Sequence, residues 1–106
     1  MLAQLGSCFL REAVRYSAHA RHEMRTEPRG KISEAEVREA VLTGEVIMDY
    51  QDDKPLPSIL ILGFSRNRRP IHLVAAYDPA DDVAIVITAY EPTPDLWFDL
   101  RKRRRA

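Results

Sequence analysis

Apolar residues fall in short bursts along the second half of the chain. Ser58–Phe64 (SILILGF), Pro70–Tyr77 (PIHLVAAY) and Val83–Tyr90 (VAIVITAY) are separated by polar segments carrying Asn67, Pro79 and paired aspartates. Bursts of this length, the last rich in Val, Ile and Thr, predict strands joined by tight turns. Glu45–Gln51 (EVIMDYQ) predicts a strand before them, and the proline-bearing Asp52–Pro57 a loop. The joining loops are short, so neighbours should be antiparallel and form a four-stranded meander. The last two strands are apolar on both faces. Helices should therefore cover one face, and the tail or a partner the other.

The first half has helical spacing instead. Leu2, Leu5, Phe9, Leu10 and Val14 have mostly helical spacing and predict a helix over Ser7–Val14, with residues 1–6 frayed because Gly6 interrupts the pattern. Arg15-Tyr16 reads as a link. Ser17 is an N-cap for a short helix that Pro28 stops. Its apolar stripe is Tyr16, Ala20 and Met24, with His19 and Glu23 one step round. Ser33 and Glu36 make a capping box, Ile32, Val37, Ala40 and Val41 a buried stripe, and Gly44 a stop. After Tyr90, Pro92 and Pro94 end strand pairing, and Asp95 caps a single helical turn over Leu96–Leu100. The expected fold is α+β, with N-terminal helices packed on a four-stranded, mainly antiparallel sheet. It forms one domain over residues 1–106, with 99–106 a basic tail.

Charge changes this picture at one point. Sixteen basic residues balance sixteen acidic ones, yet five of the basic residues are Arg101–Arg105. Without them eleven face sixteen, so an acidic body carries a basic end. That end suits a polyanion or an acidic partner, or is simply a solvated terminus. Cys8 is the single cysteine, which excludes an internal disulfide and fits a reducing cytoplasm. Leu5-Gly6-Ser7-Cys8 lacks the basic and apolar segments of a lipoprotein signal, and no stretch is long enough to span a membrane.

The candidate chemistry centres on His72, an imidazole inside a strand that otherwise wants to be core. Arg66, Arg68 and Arg69 lie in the adjoining turn. If the following hairpin closes across Asp78–Asp82, Tyr90 comes level with Pro70–His72. Imidazole titrates near neutrality and can move a proton, and guanidinium can neutralise a phosphate. Tyr90 and Trp97 offer surfaces on which bases could stack. Each residue also has a plain alternative: His72 and His19 as hydrogen-bonded core-edge residues, the arginines as a soluble hairpin tip, the aromatics as core. His19, His22 and Glu23 share a helix face that His72 could join, but no cysteine or second acidic motif accompanies them. No metal and no cofactor is expected.

The succession Tyr16-Ser17-Ala18-His19-Ala20, Ile32-Ser33 with Glu36-Val37, Gly44-Glu45-Val46-Ile47, Arg69-Pro70-Ile71-His72 and Tyr90-Glu91-Pro92 resembles the DUF4258 family of small bacterial proteins. The resemblance runs from about Phe9 to Trp97. It implies a RelE/MqsR-like fold and the toxin of a type II toxin–antitoxin pair, acting as a metal-independent mRNA endoribonuclease. A zinc-finger antitoxin of the MqsA type and mRNA or the ribosome are the partners implied. On this basis His72, His19 and Tyr90 are the candidate catalytic residues. Arg66, Arg68, Arg69, Arg101, Lys102 and Arg103 are the candidates for phosphate. The body lacks a broad excess of Lys and Arg, which leaves a non-catalytic protein-interaction module as the alternative.

Overall fold

The computed structural model describes residues 1–104. Three helices, α1 (Leu2–Leu10), α2 (Ala18–Thr26) and α3 (Glu34–Leu42), lie against a five-stranded mixed sheet. Its strands are β1 (Val14–Tyr16), β2 (Glu45–Tyr50), β3 (Ser58–Phe64), β4 (Pro70–Asp78) and β5 (Val83–Tyr90), in the order β1-β5-β4-β3-β2. Two further strands, β6 (Trp97–Phe98) and β7 (Lys102–Arg103), form a separate small hairpin.

The meander β2–β5 is antiparallel throughout, as its short loops require. The sheet nevertheless has a fifth strand. Val14–Tyr16 pairs in parallel with Ala84–Val86, so the expected four-stranded sheet is corrected to five. Three residues are too few to show alternation, and their partner is 70 positions away. A parallel neighbour needs a long crossover, which α2, α3 and the meander supply. The N-terminus also differs. α1 begins at Leu2, not Ser7, because burial of Leu5, Cys8 and Phe9 outweighs the cost of Gly6. Residues 2–6 are therefore helical and not frayed.

Two of the three predicted N-caps form, those at Ser17 and Ser33. Ser17 Oγ accepts from Ala20 N–H at 3.0 Å and donates to Ile87 O at 2.8 Å, tying the start of α2 to β5. Ser33 and Glu36 make the reciprocal capping box, with bonds of 3.1 and 3.0 Å. The core lies between helices and sheet. Leu5, Phe9, Ala20, Met24, Val37 and Val41 meet Ile59, Ile61, Ile71, Leu73, Val86 and Ala89. α3 comes so close to β3 that a Cβ on Gly63 would sit 1.8 Å from the Ala40 carbonyl oxygen.

The other sheet face has no helix. Leu60, Leu62, His72, Val74, Thr88 and Tyr90 alternate with the core residues and so face this side. Residues 96–104 fold back over it. The expected helical turn at Leu96–Leu100 is instead a strand and a tight turn. Asp99 and Leu100 both have left-handed backbones (φ 52° and 60°), and Arg101 N–H closes the turn on Phe98 O at 3.0 Å. The described part of the basic tail is thus the second strand of a hairpin. Arg105 lies outside the described residues.

Candidate functional site on the open sheet face

His72 lies beneath this hairpin with no solvent exposure. Its Nε2 is 2.6 Å from Leu100 O, and its Nδ1 is 3.1 Å from the Tyr90 hydroxyl. A carbonyl can only accept, so Nε2 carries the proton. Nδ1 then accepts from Tyr90. Trp97 packs edge-on against the imidazole at 4.4 Å between centroids, and Tyr90 at 5.3 Å. Burial pushes the His72 pKa below the ordinary histidine value, against the opposing pull of the Leu100 carbonyl. Burial also pushes the Tyr90 phenol up to about 12, with Tyr50 and Glu23 adding to the effect. Both groups are neutral at physiological pH.

The Leu100 carbonyl has a second significance. A leucine in the left-handed region costs about 1–2 kcal/mol, and the bond from His72 offsets that strain. The turn that carries Arg101, Lys102 and Arg103 is therefore fixed from below by one side chain.

A groove of about 660 Å³ opens beside this arrangement. Ile47, Met48 and Tyr50 of β2 form one wall, Leu60, Val74, Thr88 and Tyr90 the floor, and Trp97 with Arg101, Lys102 and Arg103 the other wall. Arg103 lies over the Trp97 ring at 5.9 Å and donates to Leu96 O. Arg101 is held by Glu45 at 2.6 Å and by Asp99 at 3.2 Å, so it contributes little free charge. Lys102 and Arg103 form no ion pair among the described residues. Beyond Tyr50 a more open recess is lined by Asp49, Asp52 and Asp53, which makes that end repel anions.

The structure brings together His72, Tyr90, Arg101, Lys102 and Arg103, and separates the remaining candidates from them. His19 is exposed on α2 and pairs with Glu23 at 3.3 Å. Glu23 in turn accepts from the Thr88 hydroxyl and from Ala89 N–H. It closes the edge of β5 where β1 has ended. Arg69 points to the helix side, where Glu91, Glu36 and the carbonyls of Gly30 and Lys31 take up its guanidinium. Arg66 pairs with Glu39 at 3.7 Å, and Arg68 is exposed at the hairpin tip. The expected meeting of His72 with a guanidinium from this turn is therefore corrected. The cations beside His72 come from the C-terminal hairpin, because the acids near Arg69 draw it the other way. Tyr50 and the Leu100 carbonyl were not among the candidates. Alternation along β2 could have pointed to Tyr50, but no sequence signal marks a carbonyl.

A family model described as a domain of unknown function, DUF4258, matches residues 16–91. The chain belongs to the DUF4258 family. No curated protein and no solved structure matches it. The match runs from the last residue of β1 to just past the end of β5, so His72, Tyr90, His19 and the β3–β4 turn lie within the DUF4258 region. Trp97 and the basic hairpin lie beyond it. Among the described residues no helix is long and apolar enough to cross a membrane, and no three His, Cys, Asp or Glu side chains are gathered to hold a metal.

The buried imidazole gives the DUF4258 domain a pH signature. The folded pKa of His72 lies below its unfolded value, so the unfolded chain takes up the proton first. Stability is fully present above the unfolded value and is lost as pH falls below about 6.5. The slope from this one residue has an upper limit of about 1.4 kcal/mol per pH unit. Urea titrations across that range should show it, and His72→Phe should flatten it.

Proposed function

We propose that the chain binds single-stranded RNA across the open sheet face and acts as the toxin of a type II pair, by metal-independent strand cleavage. The observation that carries this reading is the groove in which Tyr50, Tyr90 and Trp97 lie beside Lys102 and Arg103. Single strands are held by such pairings, with rings for the bases and cations for the phosphates. An acidic body with one basic strip restricts phosphate to that strip. His72 has no free nitrogen, so it acts on a ligand only through Tyr90. The polar residues that line the groove beside it are Tyr90, Lys102 and Arg103. An antitoxin, of the zinc-finger kind the family resemblance implies, would silence the protein by covering the groove.

The alternative reading, a non-catalytic interaction module, is favoured by exposed Met48, Leu96 and Phe98 on and beside the groove. RNA measurements separate the two. Wild-type protein is expected to bind an unstructured RNA oligonucleotide. With two or three phosphates neutralised, the slope of log affinity against log salt should be about −2. Trp97→Ala should weaken binding about tenfold through lost stacking, whereas Arg66→Ala with Arg68→Ala should leave it unchanged. Induction without a partner should arrest growth and fragment cellular RNA. Normal growth, intact RNA and no oligonucleotide binding would retire the proposal in favour of the module.

A further inference from the structure

We infer that Tyr90 is the residue by which the groove distinguishes RNA from DNA, accepting a hydrogen bond from a ribose 2′-hydroxyl, and that His72 is the positioning residue that fixes its polarity. This rests on the RNA-binding proposal and adds the contact that reads the sugar.

The chain of hydrogen bonds runs in one direction. It starts at Leu100 O, which accepts from His72 Nε2–H at 2.6 Å. A neutral imidazole has one N–H, so Nδ1 offers a lone pair. That lone pair takes the proton of the Tyr90 hydroxyl at 3.1 Å. The phenol proton is then committed, and the remaining lone pairs of the oxygen are acceptors only. No other protein group bonds to this hydroxyl among the described residues. Burial and the neighbouring Tyr50 and Glu23 keep it a phenol, with Arg103 the one opposing charge.

Nothing nearby lets this order reverse. Trp97 and Tyr90 pack edge-on against the imidazole at interplanar angles of 87° and 71°, and a ring flip would break both of its hydrogen bonds. The left-handed turn at Asp99 and Leu100 holds the carbonyl in place. An ordinary tyrosine donates or accepts and would serve either sugar. One whose proton is committed prefers a ligand that brings a proton of its own. The 2′-hydroxyl is that group, and deoxyribose has none. Lys102 and Arg103 flank the same groove, so a strand whose phosphates they hold brings its riboses past Tyr90.

Fluorescence anisotropy with three single-stranded probes of one uracil-containing sequence tests this: RNA, 2′-fluoro RNA and DNA. The 2′-fluoro strand keeps an RNA-like sugar pucker but has no hydroxyl proton. Wild-type protein should prefer RNA over both others by about five- to tenfold, the value of one neutral hydrogen bond. Tyr90→Phe should lower RNA to the level of the other two and leave theirs unchanged. His72→Phe, which releases the phenol proton, should narrow the preference too. Circular dichroism checks that each variant is folded, and a gel checks that each probe is intact. If His72→Phe does not fold, Tyr90→Phe alone decides. Equal wild-type binding of RNA and 2′-fluoro RNA overturns the inference while the RNA-binding proposal stands. So does a Tyr90→Phe protein that keeps the preference or weakens on all three probes alike. Failure to bind any probe brings down both.

Discussion

Arg69→Ala is expected to destabilise the domain by about 3 kcal/mol, the cost of removing one partner from a largely buried ion pair. The Arg69 guanidinium is only 16% exposed and bonds Glu91 at 2.6 Å, Glu36 at 3.2 Å and Lys31 O at 2.9 Å, with a further bond to Gly30 O. It joins the start of β4 to the α2–α3 loop and to the residue after β5. Alanine would leave Glu91, itself 11% exposed, with only its contact to Arg29 at 3.4 Å. Lysine should not rescue it, since a single ammonium cannot reach two carboxylates and two carbonyls. The acid limb gives a second readout. Burial raises the Glu36 pKa, but the Ser33 N–H and the Arg69 guanidinium more than offset this and hold it below the ordinary value. That stability is present above the unfolded pKa and is lost as pH falls through the folded one. Urea unfolding from neutral pH down to about pH 3.5 should therefore show a flatter acid loss in Arg69→Ala than in wild type. A variant of unchanged stability, weakened only in RNA binding, would make Arg69 a phosphate ligand after all.

Gly63→Ala should cost about as much for a steric reason. The new Cβ would lie 1.8 Å from Ala40 O and 2.4 Å from Ala40 C, and backbone cannot rotate away as a side chain can. α3 would have to lift from β3, opening the packing of Val37, Ala40 and Val41 on Ile61. Overpacking of this kind costs about 3 kcal/mol, read as a lower urea midpoint. Gly6 is the control. A Cβ there meets only Leu42 Cδ2 at 3.9 Å, and alanine inside α1 should stabilise by about 0.5–1 kcal/mol. Equal midpoints for Gly63→Ala and wild type would mean that α3 does not approach the sheet so closely.

Legibility in the sequence followed the range of the interactions. The capping box at Ser33 and Glu36 spans three residues, and the β4–β5 hairpin closes across a turn of a few residues. Both were readable, including the level of Tyr90 opposite His72. The place of Arg69 is not legible, because nearness to a histidine in sequence says nothing of which sheet face each side chain occupies. The carboxylates that claim Arg69 lie 22 and 33 positions away. The hairpin at residues 97–103 is not legible locally, because Asp-Leu is an unusual pair for a left-handed turn. The bond that helps offset the cost of that backbone at Leu100 comes from His72, 28 positions earlier.

By itself the sequence determined the helices, the antiparallel meander and the two apolar faces of its last strands, since periodicity, caps and turn residues act over a few positions. Tertiary structure alone decided that Val14–Tyr16 adds a parallel edge, that the C-terminal residues cover the open face, and that His72 is sealed between Tyr90 and Leu100. Those outcomes depend on burying apolar area and pairing polar groups between segments far apart in the chain, and no local pattern encodes which distant partner wins.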